Sequence, residues 1–199
     1  MLNELFFRTL GLYVQPRFFD EEECARLRAE ARRGSAEHAT VVQGPDAVVD
    51  LDYRSTKRVI LDAATEPYLI ERMQQVRPCL ASHFKVGLDH LQPLQLLKYE
   101  KGDFFAVHAD SNDRPEVPDF LKRRRISVIV FLGHEEVADQ NSNGGILQFH
   151  DLLDDPRLAH RAYPFAPVSG TLLAFPSHMQ HEVTPVRDGV RYSLVSWFC

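Results

Sequence analysis

The stretch YEKGDFFAVHAD (residues 99–110) ends in a histidine and an aspartate two positions apart, His108 and Asp110. In an extended strand, side chains at positions i and i+2 lie on the same face. An imidazole nitrogen and a carboxylate oxygen would then point at one place in space. Two histidines and one carboxylate form the facial triad that holds non-haem Fe(II) and leaves other coordination positions open. The stretch therefore predicts two metal ligands and requires a second histidine from elsewhere in the chain.

The chain on both sides of this stretch, from residue 92 onward, has the pattern of a β protein. Short apolar or alternating runs follow one another, Gly and Pro punctuate them, and no long helical pattern intervenes. Many short strands with turn signals predict a sandwich or barrel. The predicted strands are Leu94–Tyr99, Phe104–Asp110, Ile126–Leu132, Ile146–His150, Thr171–Phe175 and Val190–Phe198.

The N-terminal part of the chain predicts helices. The apolar stretch 5–19 predicts a strand that leads into a helix. Asp20 and Glu23 have the capping-box spacing at the start of that helix. A second helix is predicted from Glu66-Pro67, since proline is well tolerated in the first turn. Pro78 lies inside this second helix and should kink or divide it.

The length of 199 residues predicts a single domain over 1–199. Residues 1–91 would form a helical support layer with a lid loop, and residues 92–199 the β core with the metal site. The polar segment 35–58, which predicts a hairpin or loop over 35–53, and the insert 111–124 are the expected lid and substrate groove. A second long connection spans 151–169.

His181 is the strongest candidate for the second histidine, because it begins a predicted strand after Phe175-Pro176. His178 competes with it, since two histidines three positions apart could both bind a metal from a helix. The prolines at 176 and 185 argue against a helix there, so His178 is interpreted as a loop residue. His150 and His160 lie near the second long connection and could contact substrate, although a structural histidine is the commoner case.

Arg191 lies ten residues after His181, in the run VRYSLVSWF (residues 190–198). Strand parity puts Arg191, Ser193, Val195 and Trp197 on one face, and Tyr192, Leu194 and Phe198 on the other. A guanidinium among strand residues needs a partner, because burying it unpaired is costly. A planar dianionic ligand would supply that partner through a bidentate contact. The alternative is a surface or salt-bridged arginine.

Taken in order, these residues resemble the Fe(II)/2-oxoglutarate-dependent dioxygenases, and more narrowly their prolyl 4-hydroxylase-like branch. The pattern that carries the resemblance covers about residues 92–199 and runs Tyr99, Gly102, Phe105, His108-x-Asp110, Gly144-Gly145-x-Leu147, Phe175-Pro176, His181, Pro185-Val186, Gly189-x-Arg191 and Trp197. The resemblance implies a mainly β fold with α support, a double-stranded β-helix (jelly roll) with N-terminal helices packed on one sheet.

The resemblance also implies a role for each site residue. His108, Asp110 and His181 would bind Fe(II), and Arg191 would pair with the distal carboxylate of 2-oxoglutarate. Tyr99 would donate a hydrogen bond to the same cosubstrate, and Ser193 would assist it. O2 is the further cosubstrate, succinate and CO2 are the co-products, and ascorbate is a candidate reductant. Related halogenases replace the metal carboxylate with a small residue, so Asp110 favours hydroxylation of a C–H bond.

The cavity and the substrate are less specified by the sequence. Leu97, Ile129, Leu147 and Val183 are expected to form an apolar wall around the metal. The branch implies a peptide, protein or amino-acid-like substrate of the proline type, peptidyl or free. Arg54, Lys57 and Arg58 could bind an acidic group or could be solvated.

The composition excludes several other classes of protein. The formal net charge is −5 and the basic run at 122–125 is local, which argues against nucleic acid and anionic membrane as partners. Three widely spaced cysteines suit a reducing compartment rather than a disulfide framework. No apolar run approaches the roughly 20 residues that span a bilayer. A cytoplasmic protein of undetermined oligomeric state is therefore expected.

Two rival functions are compatible with the same residues. A metal-binding or sensing jelly-roll module without turnover would keep the triad but leave Arg191 and Tyr99 idle. A cupin-type dioxygenase on a similar barrel would usually gather more histidines, and Arg191 would then be unexplained. Release of succinate from 2-oxoglutarate separates the catalytic interpretation from the first rival.

Overall fold

The structure, a computed structural model, describes residues 4–43, 46–135, 144–152, 161–165 and 168–199. Four helices lie at α1 Glu4–Thr9, α2 Glu21–Arg33, α3 Thr65–Phe84 and α4 Asp119–Lys122. The strands are β1 Tyr13–Gln15, β2 Ala36–His38, β3 Val41–Gln43, β4 Asp46–Val48, β5 Lys57–Val59, β6 Gln95–Tyr99, β7 Phe105–His108, β8 Ile126–Glu135, β9 Leu147–His150, β10 Ala162–Phe165, β11 Leu172–Pro176, β12 His181–Val183 and β13 Val190–Phe198.

The strands form two antiparallel sheets and one hairpin. The major sheet has the order β1-β11-β8-β13-β6-β5-β2, and the minor sheet has the order β10-β9-β12-β7. The hairpin pairs β3 with β4. Apart from β5–β6 and β9–β10, neighbouring strands in the two sheets are not consecutive in the sequence, as in a jelly roll, where strands alternate between sheets. The expected mainly β fold, a jelly roll with α support, is confirmed.

Both faces of the major sheet are apolar, so the helices cover one face and the minor sheet covers the other. One face packs on α2 and α3 through buried residues such as Leu27, Leu69 and Leu80, which meet Tyr192, Leu194 and Phe198 of β13. The other face meets the minor sheet in a second apolar cluster, to which β13 contributes Val195 and Trp197. The alternation on β13 is the one that strand parity predicts. Each fully buried large side chain contributes about 1.5–3 kcal/mol.

Helix α2 begins where the sequence predicts. The Asp20 carboxylate accepts a hydrogen bond from the backbone N–H of Glu23, and the Glu23 carboxylate accepts one from the backbone N–H of Asp20. This reciprocal capping box satisfies two N–H groups that the first turn leaves without helical partners.

One expectation for the N-terminal part was wrong, and one of the two outcomes expected of Pro78, division of its helix, does not occur. The segment 5–19 was expected to open with a strand, but α1 comes first and places Phe7 and Leu10 against the cluster between the sheets. Pro78 does not divide α3, which runs without interruption from Thr65 to Phe84. Buried α3 residues on both sides of Pro78 pack against the major sheet and offset the hydrogen bond that proline removes. None of the helices in the described ranges combines the length and apolar character needed to cross a bilayer.

Candidate active site

His108 and His181 are direct cross-strand partners in the minor sheet. His108 ends β7, His181 begins β12, and the two residues lie opposite each other in the antiparallel pair. Their ring centroids are 4.2 Å apart. Each ring directs Nδ1 to a backbone carbonyl, that of Ala106 at 2.7 Å and that of Met179 at 2.9 Å. Because Nδ1 donates to a carbonyl, the lone pair is on Nε2, and both Nε2 atoms are free to bind a metal.

Asp110 completes the cluster just beyond the end of β7. Its Oδ1 lies 3.7 Å from His108 Nε2, and its Oδ2 lies 3.5 Å from His181 Nε2. One ligand atom from each of the three residues lies within 4.8 Å of the others. All three side chains are almost enclosed, with 9%, 9% and 5% of their surfaces exposed for His108, Asp110 and His181.

Ser127 of β8 orients the Asp110 carboxylate. Its hydroxyl donates to Asp110 Oδ2 at 2.7 Å and lies 3.0 Å from the Ser177 hydroxyl. A hydroxyl has one proton, so Ser127 donates to Asp110 while it accepts from Ser177. The sequence analysis did not single out Ser127. Its parity with Ile129, which was expected on the cavity wall, was a signal that could have found it.

The charges in this cluster suit a divalent cation. Burial, followed by the neighbouring His181, lowers the pKa of His108 to about 3, so its ring is neutral at pH 7. Burial opposes ionisation of Asp110, but the two histidines, Arg124 and the Ser127 hydrogen bond hold the pKa of this carboxyl below its ordinary value. Neutral imidazole and ionised carboxylate are the forms that bind metals.

Arg191 lies on the opposite wall, in the major sheet. It is 3% exposed and pairs across the strands with Tyr99 of β6. Its guanidinium carbon lies 4.9 Å from the centre of the Tyr99 ring, and Nη1 donates to Ser193 Oγ over 3.4 Å. No carboxylate of the described residues forms an ion pair with it. A buried guanidinium without an anionic partner is a ready site for the carboxylate of a ligand.

Gly145 leaves the space in which the Arg191 side chain lies. Its φ is +62°, and a Cβ at this position would lie 2.9 Å from Arg191 Cδ and 3.0 Å from Val186 Cγ2. The preceding Gly144 is equally confined, since a Cβ there would lie 2.3 Å from the Pro185 carbonyl oxygen. The Gly-Gly pair therefore serves both the backbone turn and the close approach to Arg191.

One cavity of about 710 Å³ connects these groups. The expected apolar wall lines it, and so do all the predicted site residues: Leu97, Ile129, Leu147, Val183, Tyr99, His108, Asp110, His181, Arg191 and Ser193. Residues of both expected lid segments, including Val42, Tyr53, Arg114 and Leu121, complete the lining. Wall, ligand cluster and lid segments thus surround one space.

The other histidines lie apart from the ligand cluster. His150 Nε2 lies 3.0 Å from Glu182 Oε1, and His178 is exposed. His134 lies beside Arg191, and its pKa is lowered to about 4 by burial and by that positive charge. His160 lies outside the described residues.

The structure places the basic residues that the sequence left undecided, Arg54, Lys57 and Arg58, in different environments. Lys57 pairs with Glu100, and Arg58 is exposed. Arg54 is buried on the cavity wall. Arg124, which belongs to the basic run 122–125, also lines the cavity, and its guanidinium carbon lies 3.6 Å from the centre of the Trp197 ring. The stack on Trp197 places Arg124, but no other residue of that run, on the cavity wall.

The donor set fits Fe(II). Two imidazole nitrogens and one carboxylate from one side of a cavity are the facial triad of non-haem iron sites. Arg191 lines the same cavity, has no anionic partner among the described residues, and fits the distal carboxylate of 2-oxoglutarate.

Comparison with known proteins agrees with this geometry. A family model described as the 2OG-Fe(II) oxygenase superfamily matches residues 94–199. A PKHD-type hydroxylase of Shewanella baltica is 29% identical over 137 residues, which are 66% of this chain and 55% of that protein. A PKHD-type hydroxylase of Escherichia coli is 25% identical over 188 residues, covering 94% of this chain and 77% of its own. The chain thus spans about half the length of the Shewanella relatives it matches.

Solved structures share the fold. A prolyl-4-hydroxylase of Pseudomonas putida has a TM-score of 0.72 at 27% identity and covers 96% of this chain and 94% of its own. A Trichoplax adhaerens prolyl hydroxylase, solved with a hypoxia inducible factor peptide fragment, has a TM-score of 0.73 at 16% identity, covers 96% of this chain and 84% of its own, and shows the fold alone. The family model spans more than half of the chain. The chain therefore belongs to the 2OG-Fe(II) oxygenase superfamily, within which it is similar to the prolyl 4-hydroxylases.

Proposed function

We propose that this chain is an Fe(II)- and 2-oxoglutarate-dependent oxygenase that hydroxylates a C–H bond of a proline-type substrate, either peptidyl or a free amino acid. The observation that carries the proposal is that His108, Asp110 and His181 share one cavity with Arg191, a buried guanidinium that no carboxylate of the described residues pairs with. A metal site alone would not explain a buried guanidinium without an anion.

Hydrogen bonds hold each ligand residue in the form that binds the metal. His108 and His181 bind through Nε2, since each Nδ1 proton is committed to a backbone carbonyl. Asp110 binds through a carboxylate that Ser127 holds in place. When bound, the iron couples decarboxylation of 2-oxoglutarate and reduction of O2 to hydroxylation of the substrate, with succinate and CO2 as co-products.

Arg191, Tyr99 and Ser193 form the anchor for the cosubstrate. Arg191 pairs with the distal carboxylate, Tyr99 donates a hydrogen bond to the cosubstrate, and Ser193 keeps the guanidinium in place. The apolar wall of Leu97 and Ile129, with Leu147 and Val183 opposite, keeps water away from the metal. The cavity is then a dry site with a fixed position for each reactant.

The substrate class is supported by the relatives. PKHD-type hydroxylases and a prolyl-4-hydroxylase are among the proteins similar to this chain. The presence of Asp110 as third ligand leaves hydroxylation as the expected reaction. An amino-acid-sized group also suits a cavity of about 710 Å³ that must hold a cosubstrate as well.

The test is succinate release from 2-oxoglutarate in the presence of Fe(II), O2, ascorbate and a panel of free proline and proline peptides. Wild type should release succinate, and Asp110→Ala should abolish the release because the site loses its anionic ligand. Arg191→Ala should mainly raise the concentration of 2-oxoglutarate required. The exposed Arg187 provides a matched control, since Arg187→Ala should behave as wild type. Coupled turnover in Asp110→Ala would overturn the assignment.

The same experiment addresses a non-catalytic metal-binding module. Such a module would bind Fe(II) with wild-type affinity and release no succinate with any member of the panel. It would also show no effect of 2-oxoglutarate on stability, since Arg191 would have no ligand. Binding of 2-oxoglutarate that depends on Arg191 would therefore count against the module.

A further inference from the structure

We infer that the substrate carries a carboxylate, and that Arg54 and Arg124 bind it inside the cavity that holds the metal ligands. This inference rests on the proposed function, since it concerns what lies above the iron. It is carried by two largely buried guanidinium groups that line the cavity and whose hydrogen-bond partners among the described residues are all neutral.

Arg54 is the more confined of the two. It is 7% exposed, Nη1 donates to the Thr40 carbonyl at 3.0 Å, and Nη2 reaches the Gln95 side-chain oxygen at 3.4 Å. Nε finds no hydrogen-bond partner within the described ranges. The guanidinium carbon lies 4.5 Å from the centre of the Phe105 ring, and that ring stacks on His108 at 3.6 Å. One aromatic ring therefore separates this positive charge from a metal ligand.

Arg124 has a similar environment. Nε donates to the Gln92 side-chain oxygen at 2.9 Å, and Nη1 donates to the backbone carbonyl of Asp110 at 3.2 Å. Its guanidinium stacks on the Trp197 ring at 3.6 Å. The Trp197 Nε1 atom is buried, has no hydrogen-bond partner in the part of the chain that the structure describes, and offers a further donor beside Arg124.

In a structural ion pair, a carboxylate would accept a hydrogen bond from each guanidinium. Here a neutral glutamine oxygen accepts it instead, from Gln95 for Arg54 and from Gln92 for Arg124. No ion pair links Arg54 or Arg124 to any residue that the structure describes. Each pays a desolvation cost that neutral oxygens offset incompletely. Asp110 acts on both guanidinium groups without forming an ion pair with either, and it is one of the proposed metal ligands. Positive charge with no directly bonded carboxylate among the described residues is the expected environment for an anionic ligand.

The charge balance of the cavity leads to the same conclusion. Its described lining holds four arginines against two aspartates: Arg54, Arg114, Arg124, Arg191, Asp110 and Asp113. Asp113 and Arg114 are exposed and offset each other. Fe(II) and 2-oxoglutarate bring two positive and two negative charges, which cancel. The loaded site therefore keeps a surplus of two positive charges.

Two sources could supply the carboxylate. A free amino acid would present its α-carboxylate, and a peptide would present an acidic side chain beside the target residue. Both offer the planar pair of oxygens that a guanidinium binds in a bidentate manner. Matched pairs of probes distinguish them, namely proline against prolinamide, and the blocked dipeptide acetyl-Pro-Glu amide against acetyl-Pro-Gln amide.

The protein contains its own reporter, because Trp197 is its only tryptophan and contacts Arg124. We would first load the protein with zinc(II) and N-oxalylglycine and confirm loading by its rise in Tm. Each probe is then titrated while Trp197 fluorescence is recorded. We expect the carboxylate member of at least one pair to bind at least tenfold more tightly than its amide. Which pair discriminates identifies the source.

The variants are Arg54→Gln and Arg124→Gln, with Arg125→Gln as the matched control because Arg125 is the exposed neighbour of Arg124. Arg54→Gln and Arg124→Gln should each reduce the preference for the carboxylate at least fivefold, and Arg125→Gln should retain it. Arg54→Lys keeps the charge and tests the site if Arg54→Gln does not fold.

Equal binding of carboxylate and amide in both pairs by loaded wild type overturns the inference and leaves the proposed function standing. A preference that survives in Arg54→Gln and Arg124→Gln also overturns it. Failure of zinc(II) and N-oxalylglycine to raise Tm would instead count against the proposed function.

Discussion

Replacing Gly145 with alanine should uncouple binding of 2-oxoglutarate from binding of the metal. The added Cβ would lie 2.9 Å from Arg191 Cδ, whereas carbon atoms in contact stay about 3.5–4.0 Å apart. Arg191 must therefore retreat by about 0.6 Å or more. The metal ligands belong to other strands and do not meet the new methyl group.

The magnitude follows from two effects. The φ of +62° costs alanine about 1–2 kcal/mol of folding free energy, because the left-handed region is strained for a residue with a Cβ. Displacing Arg191 weakens a charge-assisted hydrogen bond to the distal carboxylate, which is worth about 1.5–3 kcal/mol. The Kd for 2-oxoglutarate should thus rise about ten- to a hundredfold.

Gly11→Ala is the matched control. Gly11 has a φ of +72°, and a Cβ there meets nothing within 4 Å, so it carries the backbone strain without the collision. Calorimetric titration of 2-oxoglutarate into the zinc(II)-loaded proteins gives the Kd, and titration of zinc(II) gives the metal affinity. Both variants should lose about 2–8 °C in Tm. A 2-oxoglutarate Kd in Gly145→Ala within about twofold of that in Gly11→Ala would refute the assignment of Arg191.

Three further predictions concern other parts of the molecule. Ser127→Ala should weaken metal binding about 10- to 100-fold by titration, because Asp110 loses its orienting hydrogen bond, while Ser196→Ala, which also removes a buried hydroxyl, should not. Because the pKa of His134 is lowered in the folded state, the unfolded state binds more protons between pH 6.5 and about 4. The free energy of unfolding should therefore decrease as the pH is lowered through that range. Urea unfolding at about pH 7 and pH 5.5 should show a smaller fall in His134→Gln than in wild type, and an equal fall would contradict the shift. Asp20→Ala should cost about 0.5–2 kcal/mol of unfolding free energy and leave the Kd of the metal unchanged, whereas no change in Tm would contradict the cap.

Local periodicity accounts for the parts of the fold that could be predicted. The alternation in β13 assigns Arg191 to the cavity face and Tyr192 to the helix-covered face, because a strand has only two faces. The capping box at Asp20 is likewise local, since both hydrogen bonds join residues three positions apart. Such features depend on neighbours in the sequence and need no knowledge of the tertiary structure.

Contacts between distant segments account for what could not be predicted. The α1 segment is helical because Phe7 and Leu10 meet the inter-sheet cluster, and nothing in its own pattern indicates that cluster. The sequence also could not show that Arg124 alone in the run 122–125 stacks on Trp197 from β13. Strand position favoured His181 over His178, but the direct cross-strand pairing of His181 with His108 is a long-range contact that periodicity does not show.

The two cross-strand pairs of the site lie in opposite sheets, His108 with His181 in the minor sheet and Arg191 with Tyr99 in the major one. The thickness of the side-chain layer between the sheets therefore sets the distance between the metal ligands and Arg191. Phe175 belongs to that layer and packs edge-on against both Phe149 and His181, at 5.0 Å and 4.9 Å. The hydrophobic core thus acts as a spacer between the ligand cluster and Arg191. Repacking it offers a way to retune which keto acid fits without altering a single ligand.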